Sequence, residues 1–204
     1  MSQHPLPENL HIDTLAVRAA VDRSQYGENS EAMYLTSGYV QPDAETAARR
    51  FAGEEDGYTY ARLGNPTVAS MEVRLAALEG AEACIATSTG MSAILLMCLG
   101  LLKSGDHVIC SHSMFGSTIK LIGSEFAKFG VQTTFVSQTQ VAEWKAAMQP
   151  NTRLLFAETP TNPSPRCATS KPWLKLRMLA MHCWWLTIVL RHLFCSALLR
   201  WVPI

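Results

Sequence analysis

The stretch that decides the fold is STGMSAILLMCLGLLKSGDHVICSHSMFGSTIKLIGSEFAKFGVQTTFV, residues 88–136. Helical runs at residues 91–102 and 117–129 alternate with short apolar strands at residues 107–110 and 131–136. Residues 103–106 (K-S-G-D) and Gly130 separate each helix from the next strand, because Gly and small polar residues favour turns. Strands that alternate with helices predict a parallel sheet covered by helices.

The same alternation continues on both sides of this stretch. We predict a helix that Thr67 caps and Gly80 ends, a strand at residues 83–86, a helix at 141–148 and a strand at 153–157. The first 50 residues are rich in proline and polar residues, which predicts an extended N-terminal arm. The fold class is therefore α/β, with a parallel-type sheet flanked by helices and preceded by that arm.

The charge of the chain is balanced overall but divided unevenly. Residues 1–163 hold 11 basic and 17 acidic residues, whereas residues 164–204 hold 6 basic residues and no acidic one. Four of the five Trp and three of the six Cys also lie in residues 164–204. A single evolved domain rarely divides its composition so sharply, so we place a boundary at Pro163.

Composition also limits the classes of partner and the cellular location. The neutral net charge disfavours nucleic acid, and the six Cys show neither C-x-x-C pairs nor metal spacing, so we expect reduced thiols and no metal. The most apolar run, residues 178–190, is shorter than the ~20 residues of a membrane span, although an interfacial helix stays an alternative. The chain opens without a secretion signal, which predicts a cytoplasmic protein.

Three loops are expected at the carboxyl ends of the strands, where ligands bind to parallel sheets. Residues 88–91 open a helix and suit a phosphate, or form a tight turn of small residues. Phe115 could stack on a planar ligand or fill the core. Residues 158–163 carry Glu158 and Asn162 at the rim, or form a rigid polar turn. A fourth segment, residues 58–67, combines Tyr and Arg side chains that can clamp a phosphate.

Four motifs, in order, resemble the Cys/Met-metabolism family of pyridoxal-phosphate enzymes. They are Y-A-R-L-G-N-P-T at residues 60–67, S-T-G-M-S-A at 88–93, M-F-G-S-T at 114–118 and E-T-P-T-N-P at 158–163. The similarity covers residues 10–163 and, within the family, is greatest to the O-succinylhomoserine sulfhydrylases. It implies an incomplete large domain of the fold-type-I transferases, pyridoxal 5'-phosphate (PLP) as cofactor, and replacement of the substrate's acyl group by sulfide in methionine biosynthesis.

The resemblance also assigns the phosphate-binding residues. Gly90 and Met91 would donate backbone N–H groups to the cofactor phosphate. Tyr60 and Arg62 would reach the phosphate of a neighbouring subunit. The resemblance therefore implies a homo-oligomer whose site lies at a subunit interface.

The cofactor ring is assigned to three further residues. Phe115 would stack on the pyridine ring, Asn162 would hydrogen-bond its phenolic oxygen, and Glu158 would lie in the floor of the site. The substrate implied by the family is a small amino acid.

Two residues that the family requires are absent after Glu158. One is an Asp, in a V-x-D-N-type strand end, which keeps the pyridine nitrogen protonated. The other is the Schiff-base Lys, which forms the covalent link to the cofactor. Residues 159–204 contain no acidic residue, and Lys171 and Lys175 stand in no such context. No catalytic residue is therefore assigned, and we expect this chain to be inactive.

A reading-frame shift near Pro163 would explain both the boundary and the missing residues. Rereading the codons of residues 168–204 one base out of frame permits a string that contains V-V-D-N. We therefore predict an N-terminal arm (1–60), a partial PLP-binding domain (61–163) and an out-of-frame helical tail (164–204). The alternative is a small non-catalytic protein that pairs with a full-length homologue, or with a membrane through its basic apolar tail.

Overall fold

A computed structural model describes residues 10–159, 161, 184–191 and 194–200. Contacts divide the chain into two compact units, Met1–Ala86 and Thr87–Ile204. This division differs from the predicted boundaries at residues 60/61 and 163/164. Those boundaries concern the evolutionary origin of the segments, and they stay a prediction.

The described residues of the first unit form three helices joined by irregular chain. They are α1 (Ile12–Arg18), α2 (Ala44–Ala52) and α3 (Pro66–Glu79). The predicted arm thus holds two short helices, and α1 packs against α3. Arg74 of α3 supports this contact, because its Nε donates to the carbonyl oxygen of Ala19 at 2.9 Å and its Nη1 pairs with Glu31 at 2.7 Å.

The start of α3 differs from the prediction by two residues. Asn65, rather than Thr67, is the N-cap, because its side-chain oxygen accepts the Thr67 backbone N–H at 2.8 Å. Pro66 occupies the first helical position, where its fixed φ suits a helix and its missing N–H is not needed. The predicted end is confirmed, since Gly80 takes the left-handed conformation with a φ of 62°.

The predicted strand at residues 83–86 is wrong. These residues form no strand among the described elements, and the Ala86 backbone N–H donates instead to the Glu72 carboxylate of α3 at 2.6 Å. A side chain of the preceding helix thus satisfies an amide that a strand would have paired with a neighbour.

The described residues of the second unit form three α-helices and a five-stranded sheet. In chain order they are α4 (Gly90–Leu101), β1 (His107–Ser111), α5 (Gly116–Lys120), β2 (Gln132–Val136), α6 (Val141–Ala146), β3 (Thr152–Thr159), β4 (Trp184–Arg191) and β5 (Phe194–Arg200). After α5 the chain continues as a π-helical turn, Leu121–Glu125, and a 3₁₀ turn, Phe126–Phe129. The predicted helix at residues 117–129 is therefore helical throughout but irregular.

The strands are ordered β2-β1-β3-β4-β5 across the sheet. The first four are mutually parallel, and β5 pairs antiparallel with β4. Alternate residues of β1 and β3 point to opposite faces. One face packs against α4 and the α5 region through Val108, Cys110, Leu154, Phe156, Met97 and Ile122. The other packs against α6 through Ile109, Leu155, Ala157 and Trp144. The predicted parallel sheet with helices on both faces is thus confirmed.

The helical tail predicted for residues 164–204 is wrong where the structure describes it. Residues 184–191 and 194–200 are strands, so the alternative of an interfacial helix through residues 184–190 is wrong as well. Two physical reasons favour strands. The edge of β3 offers unpaired backbone groups, and W-W-L-T-I-V-L is rich in residues that favour strands. Residues 162–183 lie outside the described residues.

Candidate functional site

The N-terminus of α4 presents two free backbone donors. Thr89 is the N-cap, and its hydroxyl accepts the Ser92 N–H at 3.0 Å. Within the described part of the chain, the N–H groups of Gly90 and Met91 have no hydrogen-bond acceptor. The first turn also lacks an acidic side chain, so the positive end of the helix dipole is not offset there. This geometry suits an anion.

A contact between helices joins this turn to the start of α5. The Thr118 hydroxyl donates to the Met91 sulfur at 3.8 Å, and Thr118 is buried. The first turns of α4 and α5 therefore lie side by side. Thr89 and Phe115, the N-cap residues of α4 and α5, precede these two adjacent turns.

Phe115 and Glu158 are brought together across 43 residues of sequence. The Phe115 backbone N–H donates to Glu158 Oε2 at 2.9 Å. Glu158 is buried, with 4% of its surface exposed, whereas 44% of Phe115 is exposed. Burial raises the pKa of the Glu158 carboxyl, while the hydrogen bond from Phe115 acts in the opposite direction. Phe115 is thus exposed to solvent, while its backbone N–H is held by Glu158.

Gln138 is a buried residue of this region that the sequence did not single out. It follows β2, and its Nε2 donates to the Glu158 carbonyl oxygen. Its Oε1 is buried without a hydrogen-bond partner among the described residues. Its position just after a strand was the available signal, because polar residues at carboxyl strand ends often line ligand sites.

Tyr60 and Arg62 lie in the first unit. Tyr60 forms an antiparallel bridge with Gly38, and the Ala61 N–H donates to the Ser37 carbonyl oxygen at 2.8 Å. The Arg62 guanidinium carbon lies 5.1 Å from the centre of the Tyr60 ring, a cation–π contact. Both side chains are exposed. They form a local pair in which an aromatic ring orients a cation.

The predicted site residues thus fall into three groups. Met91, Phe115 and Glu158 are linked within the second unit, where Gly90 adjoins Met91. Tyr60 and Arg62 are linked within the first unit. Asn162 lies outside the described residues.

The described residues offer neither a metal site nor a membrane-spanning helix. They hold no group of three or more His, Cys, Asp or Glu side chains arranged for a metal ion. Their helices are all too short or too polar to cross a bilayer. Cys84, Cys98 and Cys110 are free thiols, and burial raises the pKa of Cys98 to about 12.

The sequence matches the family described as Cys/Met metabolism PLP-dependent enzyme over residues 13–176. It is 51% identical to O-succinylhomoserine sulfhydrylase of Pseudomonas aeruginosa over 156 residues, 76% of this chain and 39% of that protein. It is 42% identical to L-methionine gamma-lyase of Fusobacterium nucleatum subsp. polymorphum over 75% of this chain and 39% of that protein. The chain therefore spans about two fifths of the length of these curated relatives.

Two solved structures share the fold. The metB protein of Corynebacterium glutamicum superposes with a TM-score of 0.78 at 31% identity, covering 88% of this chain and 45% of that one. The metY protein of Campylobacter jejuni superposes with a TM-score of 0.78 at 27% identity, covering 89% and 44%, and contains a pyridoxyl-lysine monophosphate. Sequence and fold therefore agree that the chain belongs to the Cys/Met-metabolism family of PLP-dependent enzymes.

Proposed function

We propose that this chain is the phosphate-binding part of a PLP-dependent enzyme that replaces the succinyloxy group of O-succinylhomoserine with sulfide and releases succinate. The observation that carries the proposal is the pair of unpartnered N–H groups at Gly90 and Met91, joined through Thr118 to the segment of Phe115 and Glu158. The similarity to O-succinylhomoserine sulfhydrylases supports the choice of substrate.

The residues present fit a phosphorylated, planar cofactor. A Cβ atom added to Gly90 would meet nothing within 4 Å, so the space beside this amide is open. Gly90 and Met91 would hold the phosphate, and the exposed ring of Phe115 would cover the pyridine. When bound, PLP supplies an electron sink for the reaction.

The remaining assignments come from the family resemblance. Asn162 would bond the ring oxygen and Glu158 would line the floor. The Tyr60–Arg62 pair would serve the phosphate of a neighbouring subunit in a homo-oligomer. The cation–π contact supports that role, because it holds the guanidinium in one place before a phosphate arrives.

The 204 residues on their own would not catalyse the replacement. The Lys and Asp that the resemblance requires are absent from residues 159–204. The expected result with O-succinylhomoserine, sulfide and PLP is no homocysteine above a cofactor-only control. Homocysteine formation, with PLP fixed to Lys171 or Lys175 after borohydride reduction, would contradict this. Sequencing the gene around the codon for Pro163 tests the reading-frame hypothesis.

Cofactor binding by the full chain tests the proposed function directly. We expect saturable binding of PLP, competition by inorganic phosphate, and weaker binding of pyridoxal, which has no phosphate. Gly90→Asp places a carboxylate in the phosphate space but suits the helix dipole, so it should weaken PLP binding by at least about tenfold without destabilising α4.

The matched control is Gly100→Asp, which adds the same charge near the other end of α4, where a Cβ also meets open space. It should leave the affinity for PLP within about twofold of the wild-type value, because its carboxylate is several turns away from the phosphate. Equal binding of PLP and pyridoxal, or an unchanged affinity in Gly90→Asp, would refute the proposal.

A second candidate function is pairing with a full-length homologue through the first unit. Its support is a set of strongly exposed apolar side chains, Met33, Leu35, Val40 and Leu63, with exposed fractions of 74%, 90%, 98% and 71%. Where such residues form a contiguous patch, they mark a surface for a partner protein. Co-purification with a tagged full-length O-succinylhomoserine sulfhydrylase, lost in Leu35→Ser, tests this candidate. The candidate fails if wild type and variant are both absent from the tagged fraction.

A further inference from the structure

Two loops of the second unit are tied to one residue of β3. Glu158 Oε2 accepts the backbone N–H of Phe115, in the segment between β1 and α5, at 2.9 Å. The Glu158 carbonyl oxygen accepts Nε2 of Gln138, in the segment between β2 and α6. The segments that follow β1 and β2 are therefore both anchored to Glu158.

Burying the carboxylate of Glu158 costs free energy that a purely structural role would not require. Glu158 is buried, and burial raises its pKa because the charged form loses water. An apolar side chain would fill this position without that cost. A carboxylate, however, forms a stronger hydrogen bond to a backbone N–H than a neutral acceptor does. What distinguishes Glu158 is thus the strength with which it holds Phe115.

The anchored amide belongs to a residue whose ring is free to meet a ligand. Phe115 is 44% exposed and precedes the first residue of α5 with φ −57° and ψ 133°. The backbone direction at this residue sets where the ring points. If this segment were flexible, it would lose conformational entropy when a ligand stacks on the ring, and the affinity for the ligand would be lower.

We propose that Glu158 is a positioning residue that locks the backbone of Phe115 and so presents its ring to the planar ligand in one orientation. The identity of that ligand rests on the proposed function. Glu158 acts through Phe115, and this role differs from direct contact with the cofactor. The affinity for the cofactor would therefore depend on an amide that never touches it.

Three variants of the full chain test this role. Glu158→Ala removes the acceptor. Glu158→Gln keeps a side-chain oxygen that can accept the Phe115 N–H. The matched control is Asp106→Ala, which removes another buried carboxylate that accepts a backbone N–H, that of Lys103 at 2.9 Å.

Two quantities are measured for each variant. One is the hydrogen-exchange rate of the Phe115 amide without cofactor, by NMR. The other is the dissociation constant for PLP. Loss of a charge-assisted hydrogen bond should speed exchange at Phe115 by about 10–100-fold in Glu158→Ala and weaken PLP binding by about tenfold. Glu158→Gln, a neutral and therefore weaker acceptor, should give values of both quantities between those of Glu158→Ala and wild type. Asp106→Ala should leave both quantities unchanged, because Asp106 precedes β1, away from Phe115 and Glu158, and distant sites act independently.

The results separate this inference from the proposed function. If the wild-type Phe115 amide exchanges as fast as an unprotected amide, the inference is overturned, even if Glu158→Ala fails to fold. It is also overturned if Glu158→Ala binds PLP as tightly as wild type. If wild type binds no PLP while exchange at Phe115 depends on Glu158, the proposed function fails and the anchoring of Phe115 stands.

Discussion

Glu158 titrates in the opposite sense to the other carboxyl groups whose pKa is shifted. The pKa values of Glu28, Glu31, Asp43, Glu55 and Glu125 are lowered, chiefly by hydrogen bonds that favour the charged form. The pKa of Glu158 is raised from its usual 4.5 because burial disfavours the charge. The folded chain therefore holds this proton at pH values where the unfolded chain has released it.

This difference predicts how Glu158→Gln changes the pH dependence of stability. As the pH rises from about 4.5 to the raised pKa, the folded state binds more protons than the unfolded state, so the Glu158 contribution to stability falls. A Gln side chain does not titrate in this range, so it adds no pH-dependent contribution to stability. We expect the free energy of unfolding of Glu158→Gln to rise relative to wild type between pH 4 and pH 7.

Urea unfolding at several pH values measures this change. Glu143→Gln is the matched control, since Glu143 also accepts a backbone N–H. Wild-type and Glu158→Gln curves that stay parallel over the whole range would show that the buried carboxyl does not titrate as expected.

At the scale of single elements, Gly130 ends the long helical segment two residues before β2. It has a φ of 81°, in the left-handed region that favours glycine. Its N–H donates to Ala127 and its carbonyl oxygen accepts the Gly105 N–H at 2.9 Å. An added Cβ would overlap the Ser104 side chain. The glycine therefore permits both the turn and the close approach of the neighbouring loop.

Gly130→Ala should destabilise the chain. The left-handed conformation costs about 1–2 kcal/mol for a residue with a Cβ, and the overlap with Ser104 adds to it. Gly100→Ala, inside α4 and in open space, should instead stabilise by up to about 1 kcal/mol through helix propensity. Urea unfolding of both variants measures the changes; a shift of equal sign in the two would refute this account of Gly130.

The tail, residues 164–204, shows how an unpaired edge of a sheet can decide whether a segment forms a helix or a strand. Residues 164–204 contain many helix formers, and a helix was the natural prediction. Residues 184–191 instead pair in parallel with β3, from Leu154–Trp184 to Thr159–Val189. Backbone pairing with an available edge and the strand-favouring residues of 184–190 act together here, although helix formers are common in the tail as a whole.

At the scale of the whole molecule, β1 is a fully buried interior strand of the second unit. It lies between β2 and β3, and all five of its residues are buried. In contrast, α1 has no buried residue. Local stability follows burial and hydrogen bonding, so it should differ greatly between these two elements.

Hydrogen exchange should reflect this contrast. We expect the amides of Val108, Ile109 and Cys110 to exchange at least about 100-fold more slowly than those of α1, after correction for intrinsic rates. NMR exchange on the wild-type chain measures both sets of amides at once. Equal protection in β1 and α1 would mean that the sheet is not the stable centre of the second unit.

Much of the second unit could be predicted from local sequence. The bounds of β1 and β2 were predicted to within one residue, because each is a short run of apolar and β-favouring residues bounded by Gly or polar turns. In the first unit, the end of α3 at Gly80 likewise follows from a single residue with a strong local preference. The surroundings of His107 could not be predicted, because its partners Thr134 and Thr152 lie 27 and 45 residues away.

The sequence by itself determined the order of helices and strands in residues 88–159 and, through its motifs, membership of the family. These features depend on residues close together in the chain. The tertiary structure alone decided that Glu158 holds the amide of Phe115, that Gln138 joins them, and that residues 184–200 extend the sheet. Each of these depends on which distant segments become neighbours, and burial and backbone pairing, rather than local propensity, select those neighbours.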